Sequence, residues 1–121
     1  MTKRVLVIED TEDNRRIIRD LLTNAGYELI EASDGLSGVA MAARHAPDLI
    51  LMDIQLPGLD GYEATRRIKA QSELSRIPVI AVTSYALSGD EAKARAAGCD
   101  AYIAKPFSSR QLLAQVRALI G

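Results

Sequence analysis

Arg4-Val-Leu-Val-Ile8 runs directly into Glu9-Asp10, and Leu49-Ile-Leu-Met52 runs directly into Asp53. Each is a short apolar run of the kind that fills a buried parallel strand, with carboxylates placed at its end. If the two strands are neighbours, three negative charges converge on one crevice. Unit charges about 4 Å apart interact by roughly 4 kcal/mol at an effective dielectric near 20, so such a cluster calls for a cation. The pattern therefore suggests a metal site. A basic side chain for the same crevice is available in Lys105, within Ala101-Tyr-Ile-Ala-Lys105-Pro106.

Outward from these two runs the chain reads as five strands alternating with five helices. The strands are expected at residues 4–9, 28–32, 48–53, 78–83 and 101–104. The first, third and fourth should be central, and the more polar Glu28-Leu-Ile-Glu31 suits an edge. A first helix carries Ile17, Ile18, Leu21, Leu22 and Ala25 on its inner face and stops at Gly26. A second runs from Gly35 to His45 with Leu36, Val39, Ala40 and Ala43 inward, and Pro47 ends it. A third covers residues 62–71 and a fourth 88–97, ending at Gly98. The fifth opens with the capping box Ser108-Ser-Arg-Gln111 and buries Leu112, Leu113, Val116, Leu119 and Ile120.

Strict alternation of strand and helix predicts a parallel sheet with helices on both faces. Ligands of such sheets bind beyond the carboxyl ends of the strands, where the strand order switches direction. With the order 2-1-3-4-5, the ends of the first and third strands lie side by side at that point, and Glu9, Asp10 and Asp53 fall there.

Composition narrows the chemistry. The 121 residues suffice for one domain and leave none for a second, so residues 1–121 are expected to form a single unit without an output domain. A net charge of −1 gives no electrostatic footprint for nucleic acid. No apolar run approaches the ~20 residues that cross a membrane, so no membrane partner is expected. The lone Cys99 excludes an internal disulfide and fits a reducing cytoplasm. It reads as a small packed residue rather than a redox sensor. With His45 the only histidine, a His-rich metal site and a Ser-His-Asp triad both lack partners. His45 itself reads as a surface residue or a helix-terminal cation. The Arg15-Arg16 and Arg66-Arg67 pairs read as solvated helix faces, the first lying beside the acidic site and available for docking a partner protein.

The set Glu9-Asp10, Met52-Asp53-Ile-Gln-Leu-Pro57-Gly-Leu-Asp-Gly61, Val82-Thr83-Ser84 and Tyr102-Ile-Ala-Lys105-Pro106 resembles the receiver domain of bacterial response regulators. The resemblance covers the whole chain in order. Ala86-Leu-Ser-Gly-Asp-Glu91 and Gly98-Cys-Asp-Ala-Tyr-Ile103 bring it nearest to single-domain cell-cycle regulators of the DivK type. It implies a doubly wound (βα)5, flavodoxin-like α/β fold and a place in a two-component phosphorelay. A sensor histidine kinase or a histidine phosphotransfer protein would be the donor.

Residue by residue, the resemblance makes Asp53 the phosphoryl acceptor, a form of carboxylate nucleophilic catalysis. Glu9 and Asp10 become the metal pair, joined by Asp53 and by the backbone carbonyl of Gln55. Mg2+, or Mn2+ in its place, suits one or two carboxylates plus phosphate oxygens. The family most often has two aspartates where this chain has Glu9-Asp10. Lys105 supplies the positive charge that a phosphoryl oxygen needs, and a cis bond before Pro106 would aim it into the site. Thr83 would carry its hydroxyl to the phosphoryl group. Tyr102 would then rotate and change the face formed by the fourth helix, fifth strand and fifth helix, where a downstream effector binds. Tyr85 and Gln55 are candidates for tuning phosphate lifetime. No turnover of a separate substrate is expected.

Rival readings fit less well. A phosphatase of the haloacid dehalogenase kind wants a second acid two residues after the nucleophile, where this chain has Gln55. A flavodoxin needs a phosphate cradle after the first strand, where Glu9-Asp10-Thr-Glu12-Asp13 would repel phosphate. Two alternatives keep the fold: an interaction module that works without phosphorylation, and a receiver excised from a hybrid histidine kinase or larger regulator.

Overall fold

The computed structural model describes residues 2–84 and 90–121. Five parallel strands form one sheet: β1 (Arg4–Ile8), β2 (Glu28–Ala32), β3 (Leu49–Asp53), β4 (Val79–Thr83) and β5 (Ala101–Ala104). Between and after them come α1 (Glu12–Asn24), α2 (Gly35–His45), α3 (Gly61–Lys69), α4 (Asp90–Ala97) and α5 (Ser109–Ile120). The sheet is parallel, as the alternation predicts, and the strand order is β2-β1-β3-β4-β5, the order expected of a receiver.

Alternation along each strand divides the core in two. Leu6, Ile8, Ile50, Met52 and Ala81 face Ala42, Ala64, Ile68 and Ala94, which come from α2, α3 and α4. Val5, Val7, Leu49, Leu51, Ile80 and Val82 face Ile18, Leu22, Leu112 and Val116, from α1 and α5. The strands β3 and β4 are buried along their whole length, while Glu28 leaves β2 exposed at its start. Two-sided burial explains why the central strands read as unbroken apolar runs. At the start of α5, Ser108 and Gln111 exchange reciprocal bonds of 3.0 Å, the expected capping box. Gly26 and Gly98, with φ of 97° and 112°, leave their helices through the left-handed region.

Three apolar side chains expected inward lie outward: Ile17 is 61% exposed, Leu36 64% and Leu119 37%. Ala40 and Ala43 are exposed as well. The inner face of α2 is instead Gly35, Gly38 and Ala42, with Val39 half-buried. A side chain at Gly38 would meet Ile8 Cδ1 at 2.5 Å, and one at Gly35 would strike the Leu59 backbone, so the helix packs on β1 through Gly38 and on the β3–α3 loop through Gly35. A reading that counts apolar residues cannot register a face made of hydrogen atoms. Arg15 is a further departure: its side chain is only 14% exposed, whereas Arg16, Arg66 and Arg67 are exposed as expected. Cys99 is buried, as its packed reading requires. Among the described residues no helix is long and apolar enough to cross a membrane.

Candidate functional site

The register decides where the acids meet. Ile8 of β1 stands opposite Met52 of β3, so the next residues, Glu9 and Asp53, leave the sheet level with each other. Thr83 ends β4 opposite Ala104 of β5, one residue before Lys105. The Lys105 amide donates to the Thr83 carbonyl at 2.7 Å, and the Lys105–Pro106 peptide is cis as expected. Four strand ends thus deliver Glu9, Asp53, Thr83 and Lys105 to one edge.

Glu9 is buried and held on every side. Its Oε1 accepts from Lys105 Nζ at 2.7 Å and from Asn14 Nδ2 at 3.4 Å. Its Oε2 accepts from the Thr11 amide at 2.9 Å. Burial pushes this carboxyl up, but the Lys105 and Thr11 bonds outweigh it and leave the group below the usual carboxylate range. Asp10 is exposed, and a hydrogen bond shared with Glu9 raises it, helped by desolvation and the Glu9 charge.

Asp53 is only 5% exposed. The Gln55 amide donates to its Oδ1 at 3.0 Å, and Lys105 Nζ stands 3.8 Å from its Oδ2. Burial first, and then repulsion from Glu9, push this carboxyl up to about 7 against the pull of Lys105. One ammonium facing three carboxylates leaves a surplus of negative charge, which adds to the burial of Asp53 in opposing its ionisation.

One oxygen from each of Glu9, Asp10 and Asp53 lies within 4.8 Å of the others. Oxygens bound to Mg2+ at about 2.1 Å stand about 3 to 4.2 Å apart, so the three carboxylates draw together to share one ion. Hard oxygen donors and excess negative charge both fit a small divalent cation. The acidic cluster is therefore able to bind Mg2+.

Gln55 does more than its backbone suggests. Its side-chain Nε2 donates to Thr83 Oγ1 at 2.9 Å, and its Oε1 accepts from the Ser84 amide at 3.0 Å. Both ends of the amide hold the turn after β4. Nothing in the spacing of Asp53 and Gln55 signals a bond across 28 residues. Arg15 escaped sequence reasoning for the same cause: its Nη1 donates to the Glu9 carbonyl at 2.6 Å. Tyr102 lies in mid-β5 opposite Ala81, its half-buried ring packed against the core under α3 and α4. Burial, and then the charges of Asp90 and Glu91 at the start of α4, raise its hydroxyl. Tyr85 lies outside the described residues.

The family model for the response regulator receiver domain matches residues 5–117. The chain belongs to the response regulator receiver family. Among its relatives, the polar-differentiation response regulator DivK of Brucella ovis is 47% identical over 121 residues, covering all of this chain and 98% of the relative. DivK of Brucella anthropi is 46% identical over the same coverage. The receiver domain of the sensor histidine kinase PA1611 from Pseudomonas aeruginosa PAO1 was solved with a magnesium ion coordinated in its active-site cleft. It superposes with a TM-score of 0.93 at 40% identity, covering 100% of this chain and 99% of that one. The chemotaxis protein CheY4 of Vibrio cholerae gives a TM-score of 0.94 at 26% identity, covering 99% of this receiver and 100% of CheY4. The fold and two-component membership of this receiver follow. Among the described residues, the acidic edge built by β1 and β3 is the cluster whose chemistry suits a metal ion.

Proposed function

We propose that Asp53 accepts a phosphoryl group from a phosphohistidine on a sensor histidine kinase or a histidine phosphotransfer protein. The observation that carries this reading is the placement of Asp53. It is buried at the switch in strand order, 3.8 Å from Lys105 and beside the Glu9–Asp10 pair. In the transfer, an Asp53 carboxylate oxygen forms a bond to phosphorus as the P–N bond to the imidazole breaks. The imidazole nitrogen leaves with the electron pair. Glu9, Asp10, Asp53 and the Gln55 backbone carbonyl would hold Mg2+, with Mn2+ as a substitute. A divalent ion there supplies charge neutralisation for the phosphoryl oxygens. Lys105 balances the remaining charge on those oxygens, and Thr83 donates its hydroxyl to one of them.

The signal then leaves through α4, β5 and α5. Thr83 moves toward the phosphoryl group, Tyr102 turns into the space left behind, and the altered face engages an effector protein. The bond from Gln55 to Thr83 makes Gln55 a rate-tuning residue, and Tyr85 is the second candidate for that role. Residues 1–121 act as one receiver unit in the cytoplasm. The unit assists its own phosphorylation and dephosphorylation and turns over no separate substrate. Its DivK relatives support the reading as a signalling response regulator.

Acetyl phosphate tests the reading directly. Wild type with Mg2+ should form a hydroxylamine-sensitive adduct, and omission of Mg2+ or the change Asp53→Asn should abolish it. No adduct on folded, metal-loaded wild type, from acetyl phosphate or from a phosphohistidine donor, would favour a phosphorylation-independent interaction module.

A further inference from the structure

We infer that Arg15 is a positioning residue for the metal pair, a strut that runs from β2 to the Glu9–Asp10 turn; this rests on the metal reading above. The Glu9 carbonyl that accepts from Arg15 Nη1 at 2.6 Å belongs to the peptide unit joining Glu9 to Asp10. That unit is planar, so a donor fixed on its oxygen also fixes the plane carrying the Asp10 Cα. The orientation of that plane sets the direction in which the Asp10 side chain leaves the turn. Asp10 needs this support, being exposed where Glu9 is buried.

Arg15 can act as a strut because its other nitrogens are held. Its Nη2 meets Glu12 Oε2 at 2.6 Å, and its Nε lies 3.4 Å from Glu31 Oε1 on β2. Arg19 in turn grips both oxygens of Glu31 at 2.7 Å. The other main-chain bond of Glu9, from its amide to the Ala32 carbonyl at 3.1 Å, also ends on β2. Edge strand and acidic turn are thereby tied at two points. A guanidinium suits the task, since its planar fork donates to two acceptors and faces the Glu31 carboxylate at fixed angles, whereas an ammonium is a single point.

Charge and geometry predict opposite outcomes for removing this side chain. As a nearby cation, Arg15 repels a divalent ion, and its loss would tighten metal binding. As a strut, its loss frees the turn and loosens binding. Calorimetric titration of the full chain with Mg2+, and separately with Mn2+, decides between them without any phosphoryl donor. Arg15→Ala should weaken affinity by about tenfold, in the range that outer-shell partners of metal ligands reach. Arg15→Lys should recover part of that loss. Arg16→Ala, at an exposed neighbour with the same charge, should not loosen it. Unfolding in EDTA separates a folded variant with poor metal binding from an unfolded one; if Arg15→Ala fails to fold, Arg15→Lys, which keeps the charge and changes the geometry, carries the comparison and should still bind more weakly than wild type. Affinity unchanged or tightened across the folded strut variants overturns the strut while leaving the metal reading standing. Wild type that binds neither ion overturns both.

Discussion

The two edges of the sheet treat acidic side chains in opposite ways. At the edge where the strands begin, Asp48 accepts from the Arg4 amide at 2.8 Å, and Asp100 accepts from the Val79 amide at 2.9 Å and from Lys69 Nζ at 3.0 Å. Strand starts present free N–H groups, and a carboxylate there finds donors supplied by the sheet itself. At the edge where the strands end, the sheet offers carbonyls instead. Glu9 and Asp53 must therefore rely on loop amides and on Lys105. Acids of the first edge fasten the fold together; at the second, Glu9 is compensated by Lys105 and the Thr11 amide, while Asp53 and Asp10 are held ionised at a cost that a bound cation would relieve.

The contrast is sharpest for Asp53→Asn. The Asp53 carboxyl sits at about 7, above its ordinary 3.8. Between those values the folded chain binds more protons than the unfolded one, so the Asp53 contribution to stability falls as pH rises and the penalty is full above about pH 7. Removing the charge should therefore stabilise the metal-free protein at pH 8, by at most about 4 kcal/mol. Below pH 4 this gain should vanish. Urea unfolding in EDTA at the two pH values measures the difference, and an equal gap at both would break the contrast between the edges.

Gly61→Ala probes the same edge through the backbone. A side chain there would strike the Asp53 carbonyl oxygen and come within 2.7 Å of Ile54 Cα, neither of which can swing aside. Destabilisation of about 3 kcal/mol should accompany a loss of Mg2+ affinity, because relief of the clash displaces Asp53. A variant with wild-type stability and metal binding would show that this approach does not hold Asp53 in place.

The opposite edge should respond in stability alone. Asp100→Ala leaves the Val79 amide and Lys69 without their carboxylate and should cost about 1–2 kcal/mol. Its rate of labelling by acetyl phosphate should match wild type. A slowed rate would mean that the two edges communicate through β4.

Much of this division is legible in the sequence. The apolar runs fixed the strands to within a residue, and their terminal acids located the site. Helix phase was less legible wherever contact is made by small residues: Gly35 and Gly38 seat α2, so Leu36 points to solvent. The long-range polar bonds were the least legible. Gln55 to Thr83 and Arg15 to Glu9 depend on the angle at which α1 and the β3–α3 turn meet the sheet, and no local pattern encodes that angle. The cis bond before Pro106 was expected only because the family implied it.

The bond between Lys105 and Glu9 joins residues 96 positions apart. During synthesis the ribosome therefore releases all three acids well before their counter-charge exists. A nascent chain that has reached β4 carries Asp53 but lacks the lysine beside it. Charge balance at the acidic edge arrives only after the last strand, so a truncated translation product is electrostatically unfinished as well as short.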